Sequence, residues 1–288
     1  MERQSSPEQS KRWGFRRPRR LRTIALLPTM ITLGNGVCGV VAIFKTGQFM
    51  LGGNEKVAQA AAWLILAGMI FDALDGFVAR LTRTASNFGA QLDSLCDLVT
   101  FGVAPGFLTY AMTLHTVQDT PWARPVQAVC VLYAMCALIR LARFTVETTP
   151  DENAHREFAG LPSPAAAGVM ASAVLPRVAL DQLSPNLAMI VQNALPGLAF
   201  ATGILMVSRV KFAHVVNRLL KGKRPFVTLI ELALVIALFS IFREFAFFIA
   251  FFGYALTGPL IWLKKSLFRK PGLAPAHPVP EDRQDKTL

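Results

Sequence analysis

The chain contains eight apolar segments that are each long enough to cross the hydrocarbon core of a bilayer. They cover approximately residues 26–44, 57–75, 98–114, 126–144, 164–180, 187–207, 226–242 and 245–262. A spanning helix needs about 17 to 25 predominantly apolar residues. Because backbone groups in lipid must bond within their own segment, and the segments lack the alternation of barrel strands, each is predicted to be a helix. The sequence therefore predicts an all-α, polytopic membrane bundle of about eight transmembrane helices.

The composition favours a membrane protein over a soluble helical one. Hydrophobic residues make up 53% of the chain and charged residues only 17%. A soluble protein of this composition would expose large apolar patches to water, whereas a bilayer accepts the same patches as lipid-facing surface. We therefore expect an integral membrane protein.

Basic residues give the chain a net charge of +12, which in a soluble protein would suggest nucleic acid as a partner. Here they flank the apolar segments, in the N-terminal tail, in alternate loops and near the C-terminus. This distribution predicts that both termini are cytoplasmic. The basic residues are predicted to anchor the protein to anionic headgroups of the bilayer, and no nucleic acid partner is expected.

Four aspartates, Asp72, Asp75, Asp93 and Asp97, lie within or beside strongly apolar sequence. A charged side chain there costs several kcal/mol unless it is compensated. The spacings of three and four residues place each pair on one face of a helix. If the two helices meet, four carboxylates share one place, where their repulsion requires cations. Oxygen ligands without cysteine or histidine favour hard divalent ions such as Mg²⁺ or Mn²⁺.

Small residues surround these aspartates. Gly76, Ala79 and Gly89 remove side-chain bulk where a helix or a ligand approaches closely. Arg80 lies one helical turn beyond Gly76, where its guanidinium can face a phosphate or extend to the membrane interface.

Together these residues form the pattern Asp72-Ala-Leu-Asp75-Gly76-Phe-Val-Ala79-Arg80, followed by Gly89, Asp93 and Asp97. The pattern resembles, at every fixed position, the signature of the CDP-alcohol phosphotransferase family. The resemblance implies a helical-bundle enzyme of the cytoplasmic (inner) membrane whose active site faces the cytoplasm. It also implies that the four aspartates hold two divalent ions, Mg²⁺ or Mn²⁺, that Asp97 is in addition the general base on the acceptor hydroxyl, and that Gly76, Ala79 and Arg80 border the CDP moiety.

The flanking sequence is most similar to the bacterial members of the family that use serine as the acceptor. The similar segments include Leu33-Gly-Asn35, Phe101-Gly-Val-Ala-Pro105, Arg140-Leu-Ala-Arg143 and Gly160-Leu-Pro162-Ser163-Pro164. This resemblance implies transfer of a phosphatidyl group from CDP-diacylglycerol to L-serine, giving phosphatidylserine and CMP.

Four further residues are candidates for substrate contacts. Family members often have an asparagine after the first-helix proline, where this chain has Thr29, whose hydroxyl can still bond a nucleotide or a phosphate. Thr32 and Asn35 are further candidates for binding CDP. Arg140 and Arg143 are neighbours on one helix face and are candidates for binding the serine carboxylate, with membrane anchoring as the alternative. Ser163 is a candidate helix cap.

The predicted organisation has four parts. Residues 1–22 form a basic cytoplasmic tail or interfacial segment, and residues 23–210 form the catalytic bundle. Residues 211–270 contain a basic loop and a C-terminal transmembrane hairpin, and residues 271–288 form a cytoplasmic tail. A homodimer is a further expectation.

Alternative functions stay open at this point. Intramembrane acids also mark ion pathways in secondary transporters, although here they cluster on one side without a counterpart in the other half. A noncatalytic interaction protein would leave the acids unexplained. Within the enzyme class, the acceptor could instead be glycerol 3-phosphate, an inositol phosphate or choline.

Overall fold

The computed structural model describes residues 19–82, 86–147, 160–210 and 243–267, and the regular elements in these residues are all helical. The prediction of an all-α fold is therefore confirmed for this part of the chain. The helices are α1 (Arg19–Gly52), α2 (Glu55–Thr82), α3 (Asn87–Asp97), α4 (Ala104–Val117), α5 (Ala123–Glu147), α6 (Ser163–Val174), α7 (Arg177–Leu183), α8 (Pro185–Val207) and α9 (Arg243–Leu267), with a π-helical segment, Leu98–Val103, between α3 and α4.

Six helical stretches in the described residues are long and apolar enough to cross a membrane. They are Leu27–Gly52, Glu55–Thr82, Asn87–Leu114, Ala123–Thr145, Ser163–Leu183 and Pro185–Val207. The apolar part of α9, Phe245–Ile261, is shorter. The predicted segment 226–242 lies outside the described residues, so the total of about eight spans and the cytoplasmic position of the termini stay predictions.

The first stretch runs on to Gly52 from its predicted end near residue 44, and two others extend through the aspartate motif beyond the apolar segments from which they were predicted. The second continues to Thr82 instead of ending near residue 75, and the third begins at Asn87 instead of residue 98. The reason is that both helices continue through the polar residues of the motif. A prediction from apolar residues alone ends each segment where these polar residues begin. Asp72 and Asp93 consequently lie inside helices, and Asp97 is the last residue of α3, from which the chain continues directly into the π-helical segment.

Helix α6 lies at the centre of the bundle. Its residues are buried from Ser163 to Val174 with the exception of Pro164. Alanine and glycine dominate this helix, and their small side chains let neighbouring helices approach closely. α6 packs against α2 and α8 and, more extensively, against α9.

Three glycines allow close packing where α1, α2 and the segment after α3 meet. A Cβ on Gly36 would lie 2.8 Å from Cys96 Sγ, and one on Gly68 would lie 2.5 Å from Thr100 Cγ2. Gly39 likewise leaves room for Thr100. Because only glycine fits at these contacts, α3 can lie directly against α1, and the π-helical segment that follows it can lie against both α1 and α2.

One end of the bundle collects the start of α1 and α6 with the ends of α2, α5 and α8; we call it the site end. The start of α6 is fixed there by Gly160, whose φ of 95° favours glycine. Its N–H donates to the Val210 carbonyl at 2.9 Å, and the Leu161 N–H donates to the Leu205 carbonyl at 3.0 Å. These bonds hold the first residues of α6 beside the end of α8.

A polar cluster ties the helices together at the opposite, far end of the bundle. Arg177 forms ion pairs with Glu55 at 3.1 Å and with Asp181 at 3.2 Å. Its Nε also donates to Gln192 Oε1 at 3.1 Å, and Gln192 in turn donates to the Met112 carbonyl. This cluster joins α2, α4, α7 and α8, far from the motif aspartates.

Candidate active site

Three of the motif aspartates form a compact acidic cluster at the site end. Asp72 and Asp75 come from α2 and Asp93 from α3, and one carboxylate oxygen of each lies within 4.8 Å of the others. The spacing of three residues places the α2 pair on one face of that helix. Packing of α3 against the same end of the bundle adds the third carboxylate.

Two oxygens of this cluster lack hydrogen-bond donors. Asp75 is only 5% exposed, and neither Asp75 Oδ2 nor Asp93 Oδ1 has a partner among the described residues. Unpartnered buried acceptors are unfavourable, and three adjacent carboxylates repel one another. Carboxylate oxygens are the ligands that Mg²⁺ and Mn²⁺ prefer, so the cluster fits hard divalent cations.

Asp97 lies beside this cluster but has a partner of its own. Its Oδ1 accepts a hydrogen bond from Asn35 Nδ2 at 2.8 Å. Asp97 is 8% exposed and Asn35 is fully buried. The Asn35 carbonyl accepts a further bond from Thr100 Oγ1 at 2.9 Å. Asp97 is also close enough to Asp72 and Asp93 to interact with both electrostatically.

A cavity of about 160 Å³ opens against the acidic cluster. Six of its lining residues were singled out in the sequence, namely Thr32, Asp75, Gly76, Ala79, Gly89 and Asp93. Pro28 and Thr29, where the sequence departs from the family pattern, also line it, and two further lining residues, Ser86 and Ala90, were not predicted. Among these, Ser86 caps α3 by accepting a bond from the Gly89 N–H at 3.0 Å. A serine just before a helix is a recognisable cap signal, so this residue could have been found.

Arg80 is exposed beside the cavity. A Cβ on Gly76 would lie 3.7 Å from Arg80 Nη1, so the guanidinium lies over Gly76. The missing side chain of Gly76 therefore leaves space beneath a positive charge. That arrangement suits a phosphate group, because a guanidinium binds phosphate oxygens through paired N–H donors.

The two arginines of α5 have different surroundings. Arg140 Nη1 donates to Ser163 Oγ at 2.8 Å, and its guanidinium interacts electrostatically with Asp97 and Asp72. Arg143 Nη1 instead contacts the Val207 carbonyl at 3.5 Å, at the end of α8. The structure thus brings Arg140 to the acidic residues and places Arg143 against a helix end.

Ser163 does not have the capping role expected for it. Pro162 occupies the N-cap position of α6 and makes no side-chain capping bond. Ser163 is the first residue of the helix, and its hydroxyl is used by Arg140. A serine beside prolines at a helix start is a local signal for a cap. The bond between Ser163 and Arg140 of α5 joins residues far apart in the chain, so local sequence does not reveal it.

Comparison of the sequence with known proteins identifies the family to which the chain belongs. A sequence model of the CDP-alcohol phosphatidyltransferase family matches residues 25–208. The chain is 34% identical over 189 residues to a CDP-diacylglycerol–serine O-phosphatidyltransferase of Helicobacter pylori J99, covering 66% of this chain and 72% of the relative. Proteins of the same name match at 35% identity in Bacillus subtilis 168, covering 48% of this chain and 69% of the relative, and at 40% in Saccharomyces cerevisiae, covering 46% and 48%. With the family model covering well over half of its length, this chain belongs to the CDP-alcohol phosphatidyltransferase family.

Proposed function

We propose that this protein transfers the phosphatidyl group of CDP-diacylglycerol to the hydroxyl of L-serine, giving phosphatidylserine and CMP. The observation that carries the proposal is the cluster of Asp72, Asp75 and Asp93 beside a cavity, with buried oxygens that lack donors. Family membership supports the CDP-linked donor. The names of the relatives support serine as the acceptor.

The proposed cofactors are two divalent cations, Mg²⁺ or Mn²⁺, held by the three clustered aspartates together with Asp97. When bound, such cations neutralise the pyrophosphate and stabilise the charge of the departing CMP. The four aspartates supply carboxylate oxygens on two facing helices, which is the ligand chemistry that these ions require.

Asp97 is proposed to take the proton of the serine hydroxyl as the general base. Asn35 holds Asp97 Oδ1 at 2.8 Å, which leaves Oδ2 for the proton. Because Asn35 is fully buried behind Asp97, we propose that it orients this carboxylate. That role takes the place of the direct contact with CDP suggested by the sequence.

The donor is proposed to occupy the cavity lined by Gly76, Ala79 and Thr32. Small side chains leave room there for the nucleotide, and Arg80 supplies positive charge for its phosphates. The diacylglycerol part then remains among the apolar helices. This arrangement suits a substrate whose tails lie in the bilayer and whose head lies in water.

Arg140 is the proposed partner of the serine carboxylate, because its guanidinium lies near Asp97 and Asp72. Arg143 bonds to the carbonyl of Val207 at the end of α8, and its contact with serine stays a prediction. The proposal places the protein in the inner membrane with the site facing the cytoplasm. A homodimer in the bilayer stays a prediction.

The proposal is tested by measuring CMP release by purified protein with CDP-diacylglycerol, L-serine and Mg²⁺. Asp72→Asn should weaken cation and donor binding together, whereas Asp97→Asn should depress turnover while donor binding survives in part. Asp119→Asn is the matched control, since Asp119 is exposed in the loop after α4. Wild-type protein that releases no CMP from these substrates would refute the proposed function.

A further inference from the structure

Arg140 is a partly buried cation without a close acidic partner. Within the part of the chain that the structure describes, Arg140 donates a hydrogen bond to the hydroxyl of Ser163, and no carboxylate lies within 4.0 Å of its guanidinium. A guanidinium has five N–H donors in a planar fork, so one bond to a hydroxyl leaves most of them unused. A cation in this setting is suited to receive an anionic ligand.

Helix α9 reaches the same place although it lies beyond the matched family range of residues 25–208. It packs along α6, where the ring of Phe251 fills the space left by Gly168. Tyr254 is three residues further on and therefore points to the same side of α9. Tyr254 packs against the buried cluster that contains Leu161 and Ala165 at the start of α6.

This packing brings the phenol of Tyr254 to the part of the bundle where the Ser163 hydroxyl bonds to Arg140. Ser163 approaches Arg140 from α6, and Tyr254 of α9 is close enough to the guanidinium to interact with it electrostatically. Three helices, α5, α6 and α9, thus contribute one polar side chain each to a partly buried group. Polar side chains in such surroundings fix one another's orientation.

We propose that Ser163 and Tyr254 position Arg140 as the subsite for the carboxylate of the acceptor, with α9 forming one wall of the acceptor pocket. The inference rests on the proposed function and refines it. The acceptor class is a small amino acid with a side-chain hydroxyl, whose carboxylate binds Arg140 while its hydroxyl faces Asp97. Tyr254 is a positioning residue and takes no part in proton transfer.

The alternative is that Tyr254 contributes only its ring to the packing of α9 on α6. Tyr254→Phe separates the two roles, because phenylalanine keeps the ring and removes only the hydroxyl. Ser163→Ala removes the second polar partner from a different helix. Tyr110→Phe is the matched control, since it makes the same chemical change on α4, away from Arg140 and the acidic cluster.

The experiment measures kcat and the KM values for serine and for CDP-diacylglycerol, together with the thermal midpoint of the purified protein. Loss of one polar partner of the guanidinium should raise the serine KM about three- to tenfold in both Tyr254→Phe and Ser163→Ala. The CDP-diacylglycerol KM and the thermal midpoint should stay at wild-type values. Ethanolamine, which lacks the carboxylate, should be an equally poor acceptor for the wild type and both variants.

Two results would overturn this inference. One is an unchanged serine KM in both variants, and the other is a parallel rise of the CDP-diacylglycerol KM. Either result, obtained with a wild type that uses serine normally, rejects the role of Tyr254 and Ser163 and leaves the proposed function intact. A wild type that does not transfer to serine rejects both proposals together.

Discussion

Replacing Asn35 by leucine would show how the buried partner of Asp97 supports the reaction. Asn35 is fully buried, and its Nδ2 donates to Asp97 Oδ1 at 2.8 Å. Leucine has a similar shape but no donor, so one oxygen of an almost buried carboxylate loses its partner. A hydrogen bond to a charged group contributes about 1.5–3 kcal/mol. If that stabilisation orients the general base, its loss corresponds to about a 10- to 150-fold decrease in turnover.

The assay is the initial rate of CMP release at saturating serine and CDP-diacylglycerol. We expect kcat of Asn35→Leu to fall by the factor above, while the KM for CDP-diacylglycerol stays near the wild-type value. Thr109→Val is the control, because Thr109 is also buried and its hydroxyl donates to the Pro105 carbonyl, one turn earlier in the same helix, at 2.9 Å. That control should keep wild-type turnover.

Two outcomes would contradict the role given to Asn35. Normal turnover of a folded Asn35→Leu variant would show that the bond to Asp97 is dispensable. A rise in the KM for CDP-diacylglycerol with unchanged kcat would instead favour the direct contact with CDP that the sequence suggested. Thermal unfolding of the variant distinguishes both outcomes from loss of the fold.

Three further predictions concern the cation, the helix packing and the far end. EDTA should abolish CMP release and Mg²⁺ or Mn²⁺ should restore it, because the clustered carboxylates repel one another without cations; full turnover in metal-free buffer would disprove this. Gly68→Ala places a Cβ 2.5 Å from Thr100 Cγ2 and should lower the thermal midpoint, at a cost of about 1–3 kcal/mol. The control is Gly47→Ala, whose Cβ meets nothing within 4 Å and should leave the midpoint unchanged. Equal midpoints for the two variants would argue against the close contact between Gly68 and Thr100. Arg177→Met breaks an ion pair with Glu55 at 3.1 Å and should lower the thermal midpoint without changing the serine KM. A changed serine KM would contradict the view that the polar cluster at the far end only stabilises the fold.

The helical class and the acidic cluster could be predicted because both follow from local rules. Long apolar segments require helices in lipid, and spacings of three or four residues put side chains on one helix face. The meeting of Asp72, Asp75 and Asp93 then needs only the packing of two neighbouring helices. Helix bounds were less predictable, since α2 and α3 continue through polar motif residues that interrupt the apolar pattern.

The remaining parts of the site depend on contacts between distant residues, which local sequence does not encode. Asn35 and Asp97 are 62 positions apart, and their bond forms because glycines let α1 and α3 pack closely. The pairing of Arg140 with Ser163 likewise joins two helices across a long connection. Tyr254 comes from a helix whose sequence offered only hydrophobicity, so its place near Arg140 emerged only from the packing of α9 on α6.

The most direct test of the account is an acceptor competition with the purified wild-type protein. CDP-diacylglycerol and Mg²⁺ are supplied with equal concentrations of serine, glycerol 3-phosphate, inositol phosphate and choline, and the lipid products are identified by mass spectrometry. The account predicts that phosphatidylserine predominates, that it carries the acyl chains of the donor, and that one CMP is released for each molecule formed. A predominant product from any other acceptor, or CMP release without a phosphatidyl product, would contradict it.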